Sequence, residues 1–218
     1  MIARTNEILW EYFMLFFFRT KRIGFSEMLK KAFPKEYAKD AEEVCKGLTV
    51  KSKAYNGILY TDEVTEWRLS SGETISVPYR IYVSDKAAFQ CKLTPVQKMI
   101  YHCIFSRSYD GYVRQKHIEA LLDCDVPEWA MPYIIKICDE YVREILEAVY
   151  GKLKDKNCES YKDVCRRNFD YFKKGHSRMI SYWNEYYRYD HYRYRDYIGK
   201  KLYGECFGYG KTGQKTIN

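Results

Sequence analysis

The segment 187–201, YRYDHYRYRDYIGKK, interleaves arginine, lysine and tyrosine at close spacing. Lysine and arginine attract phosphate, and exposed aromatic faces stack nucleobases, so the pattern suits contact with nucleic acid. Written on a helix, Arg188, Tyr192 and Arg195 share one side at i, i+4 and i+7, beside Asn184 and His191. That side is expected to face solvent. Met179, Trp183, Tyr186, Tyr187, Tyr194 and Tyr197 fall on the other, as a core stripe. Arg166 and Arg167, and Lys173 and Lys174 seven residues on, extend the basic surface, and Lys200 and Lys201 complete the candidate set. The bland alternative is a solvated cationic face whose Arg and Lys stems cover buried tyrosines.

The charge distribution agrees with a polyanionic partner. Residues 151–218 carry 16 Lys/Arg against 8 Asp/Glu, whereas residues 1–150 carry 21 of each. The whole excess of +8 therefore sits in the last third of the chain. Tyrosine occupies 23 of the 218 positions, and so aromatic a chain is not a disordered one.

Enzymatic chemistry finds less support. The histidines are His102, His117, His176 and His191, and Cys103 follows His102 directly. Adjacent helical residues point about 100° apart and do not form a nucleophile–base couple. His117 reads as a hydrogen-bonded core histidine, which leaves a Cys/His site assembled by tertiary folding as the enzymatic alternative. Cys158 and Cys165 are spaced too widely for a zinc pair, and no phosphate-loop or dinucleotide fingerprint occurs. No catalytic residue, metal ligand or cofactor is assigned. The eight cysteines are scattered, without a CxxC pair, and read as reduced, buried thiols of a cytoplasmic protein.

The elements that position these groups follow from periodicity. The run Ile8 to Phe18 is 11 residues with Glu11 inside it, too short to span a membrane. It reads as a buried helix over 5–19 or a partner-docking face. Helices are expected after Ser26 and from Pro34 to Gly47. Ile75, Val77, Tyr79, Ile81 and Val83 alternate with polar residues, so 64–83 reads as a β-hairpin turning at Ser70–Glu73. Pro78 cannot donate to a ladder, so its strand reads as an edge or as bulged there, and GILYTDE reads as a further strand. From Thr94 onward the pattern is helical: Thr94 caps a helix beginning at Pro95, and YVRQKHIEALLD follows Gly111. One long helix is expected from Pro127 to Leu153, another to Gly175, and one or two more up to residue 207.

DGYVRQ at Asp110 is echoed 29 residues later by DEYVRE at Asp139. DGYVRQKHIEAL is similar to the D-x-x-V-R-x-x-A-x-x-A-L pattern in the second helix of short HEAT-like repeats. Asp110, Val113, Arg114, Ala120 and Leu121 match, while His117 replaces an alanine. The resemblance implies paired helices whose turn is fixed by the Asp and Arg. In the second copy Leu146, Val149 and Tyr150 depart from the pattern. An unbroken apolar face from Ile134 to Val149 reads as one helix, with Asp139 and Arg143 as an i, i+4 pair.

The expected fold is mainly α (α+β): N-terminal helices and a small β-hairpin packed on a multi-helix C-terminal bundle. Residues 1–93 hold the helix and hairpin region and 94–218 the bundle, either as two parts or as one continuous domain. The expected function is non-enzymatic nucleic-acid (DNA or RNA) binding. The alternative is a protein-interaction module using the N-terminal helix or a HEAT-like surface.

Overall fold

The computed structural model describes residues 25–51, 59–60, 63–83, 93–190 and 193–210. The expected 5–19 helix, Cys91, His191, Tyr192 and the last eight residues lie outside the described residues. The fold is mainly α with a small antiparallel β component, as the sequence periods imply. No helix among the described residues is long and apolar enough to cross a membrane.

Helix α1 (Phe25–Ala32) and α2 (Ala38–Lys51) are joined by a 3-10 turn, Lys35–Tyr37, entered from Pro34. Ser26 lies within α1 rather than capping it, and α2 runs through Gly47 instead of ending there. The hairpin consists of β2 (Val64–Arg68) and β3 (Thr74–Pro78), with Trp67 opposite Ile75 and Thr65 opposite Val77. These four residues are buried while Val64, Glu66 and Arg68 face out, the period-2 pattern of a half-buried sheet. Short strands β1 (Leu59–Tyr60) and β4 (Ile81–Tyr82) pair and continue the same two arms, so the first arm is lengthened rather than a third strand added. Pro78 closes the β2–β3 ladder at its open end, opposite Val64.

The helical half begins with α3 (Pro95–Phe105), capped by Thr94 and Gln97 in reciprocal hydrogen bonds. Loop 106–110 then leads into α4 (Gly111–Leu122), where the Asp110 carboxylate accepts from the amides of Tyr112 and Val113. A 3-10 turn, Glu128–Ala130, opens α5 (Met131–Ile137), and α6 (Arg143–Leu153) follows. The expected single helix from 127 to 153 is therefore broken. Its turns tighten at 138–140 through i→i−3 bonds from the amides of Cys138, Asp139 and Glu140, and α6 starts afresh at Arg143. At this break Asp139 meets Lys136 and Arg178, and Glu140 meets Arg80, Arg107 and Arg114.

Each copy of the echo thus marks the joint of a helix pair, α3 with α4 and α5 with α6. Helix α4 packs on α6, so the pairs stack side by side. Asp139 and Arg143 do not pair: Asp139 turns inward, and Arg143 reaches Glu147 at 3.2 Å.

Helix α7 (Glu159–Arg167) ends at Asn168, whose side chain bonds the backbone N–H and C=O of Arg68 on the hairpin. Helix α8 (Phe169–Tyr182) then passes straight through Gly175 and continues as a π turn, Trp183–Tyr187. Gly175 serves close approach rather than termination, because a Cβ there would lie 3.3 Å from that of Asp139. The chain leaves the helix after Tyr187 and re-forms one as α9 (Ile198–Lys201), which runs into a second π turn, Leu202–Cys206.

One hydrophobic cluster reaches from Met28 to Phe207. Phe33 stacks on Tyr133 with centroids 5.5 Å apart, and the Tyr133 hydroxyl donates to the Ala32 carbonyl, fastening α1 to α5. Gly199 sits on Met179, where even a methyl group would collide with the Met179 sulfur. His176, buried on α8, stacks on Tyr209 at 3.6 Å and meets the Tyr194 hydroxyl at 3.2 Å. Burial, with Lys200 nearby, pushes its pKa down to about 4.

A histidine whose folded pKa is depressed binds its proton more readily when unfolded. Its stabilisation is complete above pH 6.5 and is lost as pH falls toward 4, up to about 3 kcal/mol. Urea melts at pH 7, 5.5 and 4.5 are expected to show this slope, and His176→Gln to flatten it. An equal slope in both proteins would refute the assignment.

Candidate functional site

The loop 138–142, built around the second echo, is where the hairpin, both helix pairs and α8 converge. Glu140 is 4% exposed and binds three arginines. Arg80 from the hairpin and Arg107 from loop 106–110 each reach its Oε1 at 2.8 Å, and Nε of Arg114 on α4 lies 3.1 Å from its Oε2. Asp139, 3% exposed, takes Lys136 from α5 at 3.1 Å, the Tyr171 hydroxyl at 2.6 Å, and Arg178 of α8.

Five cations thus surround two carboxylates. The surplus positive charge is met by backbone carbonyls and ring faces. Arg107 donates to the carbonyls of Pro78 and Tyr79, and Arg114 to those of Ser108 and Tyr109. Arg80 lies 4.6 Å and Lys136 4.9 Å from the Tyr79 ring centroid. Burial alone would raise the Glu140 pKa, but the three arginines outweigh it and hold the carboxyl well below the usual range. Burial pushes Lys136 down to about 8 despite the neighbouring Asp139.

The outer side of this network is aromatic. Tyr141, at the crest of the loop, lies 6.0 Å from Tyr182 and 6.1 Å from Tyr186, and those two are 6.2 Å apart. Tyr141 is 50% and Tyr186 59% exposed. The Tyr187 hydroxyl donates to the Tyr141 carbonyl and accepts from the Arg143 amide. The π turn brings Tyr186 and Tyr187 round to this loop, and such turns recur at functional sites. Along α8, Lys174, Arg178 and Tyr182 follow at four-residue intervals, about 6 Å of rise each, and Tyr186 comes four residues later in the π turn.

The sequence-derived candidates fare unevenly. Arg166 pairs with Asp163, and Arg167 pairs with Glu128 beside the hairpin turn. Lys173 and Lys174 are exposed on α8, and Arg188 is exposed with a hydrogen bond to the Asn184 side chain. Arg195 is exposed 3.8 Å from Asp196, Lys200 is half-buried and Lys201 exposed. Tyr192 lies outside the described residues. Because the helix ends after Tyr187, Arg188 and Arg195 do not share a helical face, and that part of the expected stripe is corrected. Tyr186, expected in the core, is exposed.

The ridge from Lys174 to Tyr186 was open to inspection as an i, i+4 series. Tyr141, some forty residues away in sequence, carried no signal of its proximity.

His102 and His117 do meet, with Nδ1 atoms 2.9 Å apart, but packed against Tyr101 and Phe105. One surface cleft of about 450 Å³ is lined by Ser70, Glu128, Asp163 and Arg167 among others, and a second by Lys162, Phe172 and Tyr209 among others. Neither contains a histidine. Burial pushes the Cys45 thiol up to about 11 and that of Cys206 up to about 12, which makes both poor nucleophiles. No protein-family model, curated protein or solved structure matches the chain.

Proposed function

We propose that this chain is a nucleic-acid-binding module whose contact surface is the outer side of α8 with the segment that folds back on it. The observation that carries the reading is that fold-back. Tyr194 packs on Trp183 at 5.1 Å and reaches His176, while Gly199 seats on Met179. Residues 169–201 hold eight Lys/Arg against four Asp/Glu, and the fold-back gathers this excess on neighbouring elements. Lys173, Lys174 and Arg188 form no ion pair among the described residues, so their charge is available to a polyanion. Arg166 and Arg167, spent on carboxylates, contribute less than their sequence positions suggest. A cytoplasmic setting belongs to the same reading, supported by free thiols at the seven described cysteines.

Binding of short DNA or RNA followed across a salt titration tests the proposal. Affinity is expected to fall steeply with salt, and Lys174→Gln with Arg188→Gln to make the log–log slope shallower by about 2, one per lost phosphate contact. An unchanged slope would remove this face from the reading, and absence of binding would end it.

A further inference from the structure

We infer that Tyr141, Tyr182 and Tyr186 form a stacking platform for unpaired nucleobases, which makes single-stranded nucleic acid the preferred ligand. The inference rests on the nucleic-acid reading above and adds strand state and base contact to it. The three rings lie 6.0 to 6.2 Å from one another, and two of them are at least half exposed. Tyr133, Tyr197 and Tyr203 are each 1% exposed, whereas Tyr109, Tyr112, Phe169 and Tyr189, like Tyr141 and Tyr186, stand open to solvent. What marks out Tyr141, Tyr182 and Tyr186 is that three rings lie together, each within 6.2 Å of the other two.

The platform is held from beneath. Tyr187 bonds the Tyr141 carbonyl, and Arg143 lies over the Tyr187 ring at 5.7 Å. Residues 139 and 140, next to Tyr141, are fixed by the ionic network. Rings held in place lose little freedom when a ligand settles on them. Lys174 supplies exposed positive charge two turns before Tyr182 on the same ridge, and Arg178, between them, is anchored to Asp139 and Tyr171. A phosphodiester chain laid along α8 finds positive charge first and aromatic faces next.

This order selects the strand state. A base in a duplex has both faces covered by its neighbours, whereas an unpaired base offers a free face to a tyrosine. Hydroxyl-bearing rings beside cations also complement an anionic ligand with flat apolar parts better than an aliphatic protein surface.

The test is fluorescence anisotropy of a labelled oligothymidylate and of a labelled DNA hairpin duplex, with wild type, Tyr186→Ala and Tyr186→Phe. The wild type is expected to favour the single strand. Tyr186→Ala is expected to lose about tenfold in single-strand affinity with its salt slope unchanged, and Tyr186→Phe to retain binding. Circular dichroism melts check that this exposed substitution leaves the fold intact. Equal affinity for both strand states, or an unaffected Tyr186→Ala, overturns the platform while leaving salt-dependent binding in place. Loss of all binding in the wild type overturns the nucleic-acid reading and the platform with it. Failure of every oligonucleotide together with Tyr186-dependent self-association in sedimentation assigns the rings to a protein contact and overturns both.

Discussion

Replacing Glu140 by glutamine is expected to remove about 3–5 kcal/mol of folding stability, the usual cost of breaking a buried ion pair from one side. Glutamine keeps the shape of the side chain but cancels its charge and turns an amide N–H₂ toward guanidinium donors. Arg107 and Arg114 are 0% and 2% exposed, so water cannot replace the lost acceptor. Arginine does not escape by deprotonating. Five parts of the fold are tied through this carboxylate and its neighbour: the hairpin, loop 106–110, α4, the α5–α6 joint and α8. Urea denaturation at pH 7 measures the effect, and a loss under about 1 kcal/mol would show that the network is dispensable. Should the variant not fold, Arg80→Gln removes one partner at a more exposed position and is expected to cost about 1–2 kcal/mol. The same carboxyl sets an acid limit. Its pKa is depressed in the folded state, so its contribution is complete above the unfolded pKa near 4.5 and is lost as pH falls below that.

Asp139→Asn is expected to cost about 3 kcal/mol, and adding Lys136→Met to recover more than half of it. Asparagine still accepts from the Tyr171 hydroxyl, but it takes from the Lys136 ammonium, 1% exposed, its ion-pair partner. Methionine fits the same space beneath the Tyr79 and Tyr171 rings without a charge to desolvate. The pH dependence supplies an independent check. Lys136 already sits at about 8, and losing Asp139 lowers it further, so the unfolded chain binds its proton more tightly. Stability of the single variant is therefore expected to rise between pH 7 and 9, and that of the double variant to stay flatter. If Lys136→Met restores nothing, the unpaired charge is not the cause.

Several features were legible from short stretches of sequence because their causes are local. The hairpin followed from alternation between Ile75 and Val83, the start of α3 from Thr94 with Pro95, and the start of α4 from Asp110. The basic, aromatic character of the C-terminal third was equally plain from composition. Where local rules misled, the residue concerned meets a partner distant in sequence. The helical face across 134–149 looked continuous, yet the chain breaks there, where Asp139 and Glu140 meet cations from residues 80, 107, 114 and 178. Gly175 looked like a helix end and is instead the place where α8 admits Asp139. Tyr186 looked apolar and inward, but the π turn set it outside beside Tyr141. Periodicity records how each residue relates to its own helix or strand. The convergence of buried charges and exposed rings depends on how far-separated segments pack, and no window of the chain contains that information.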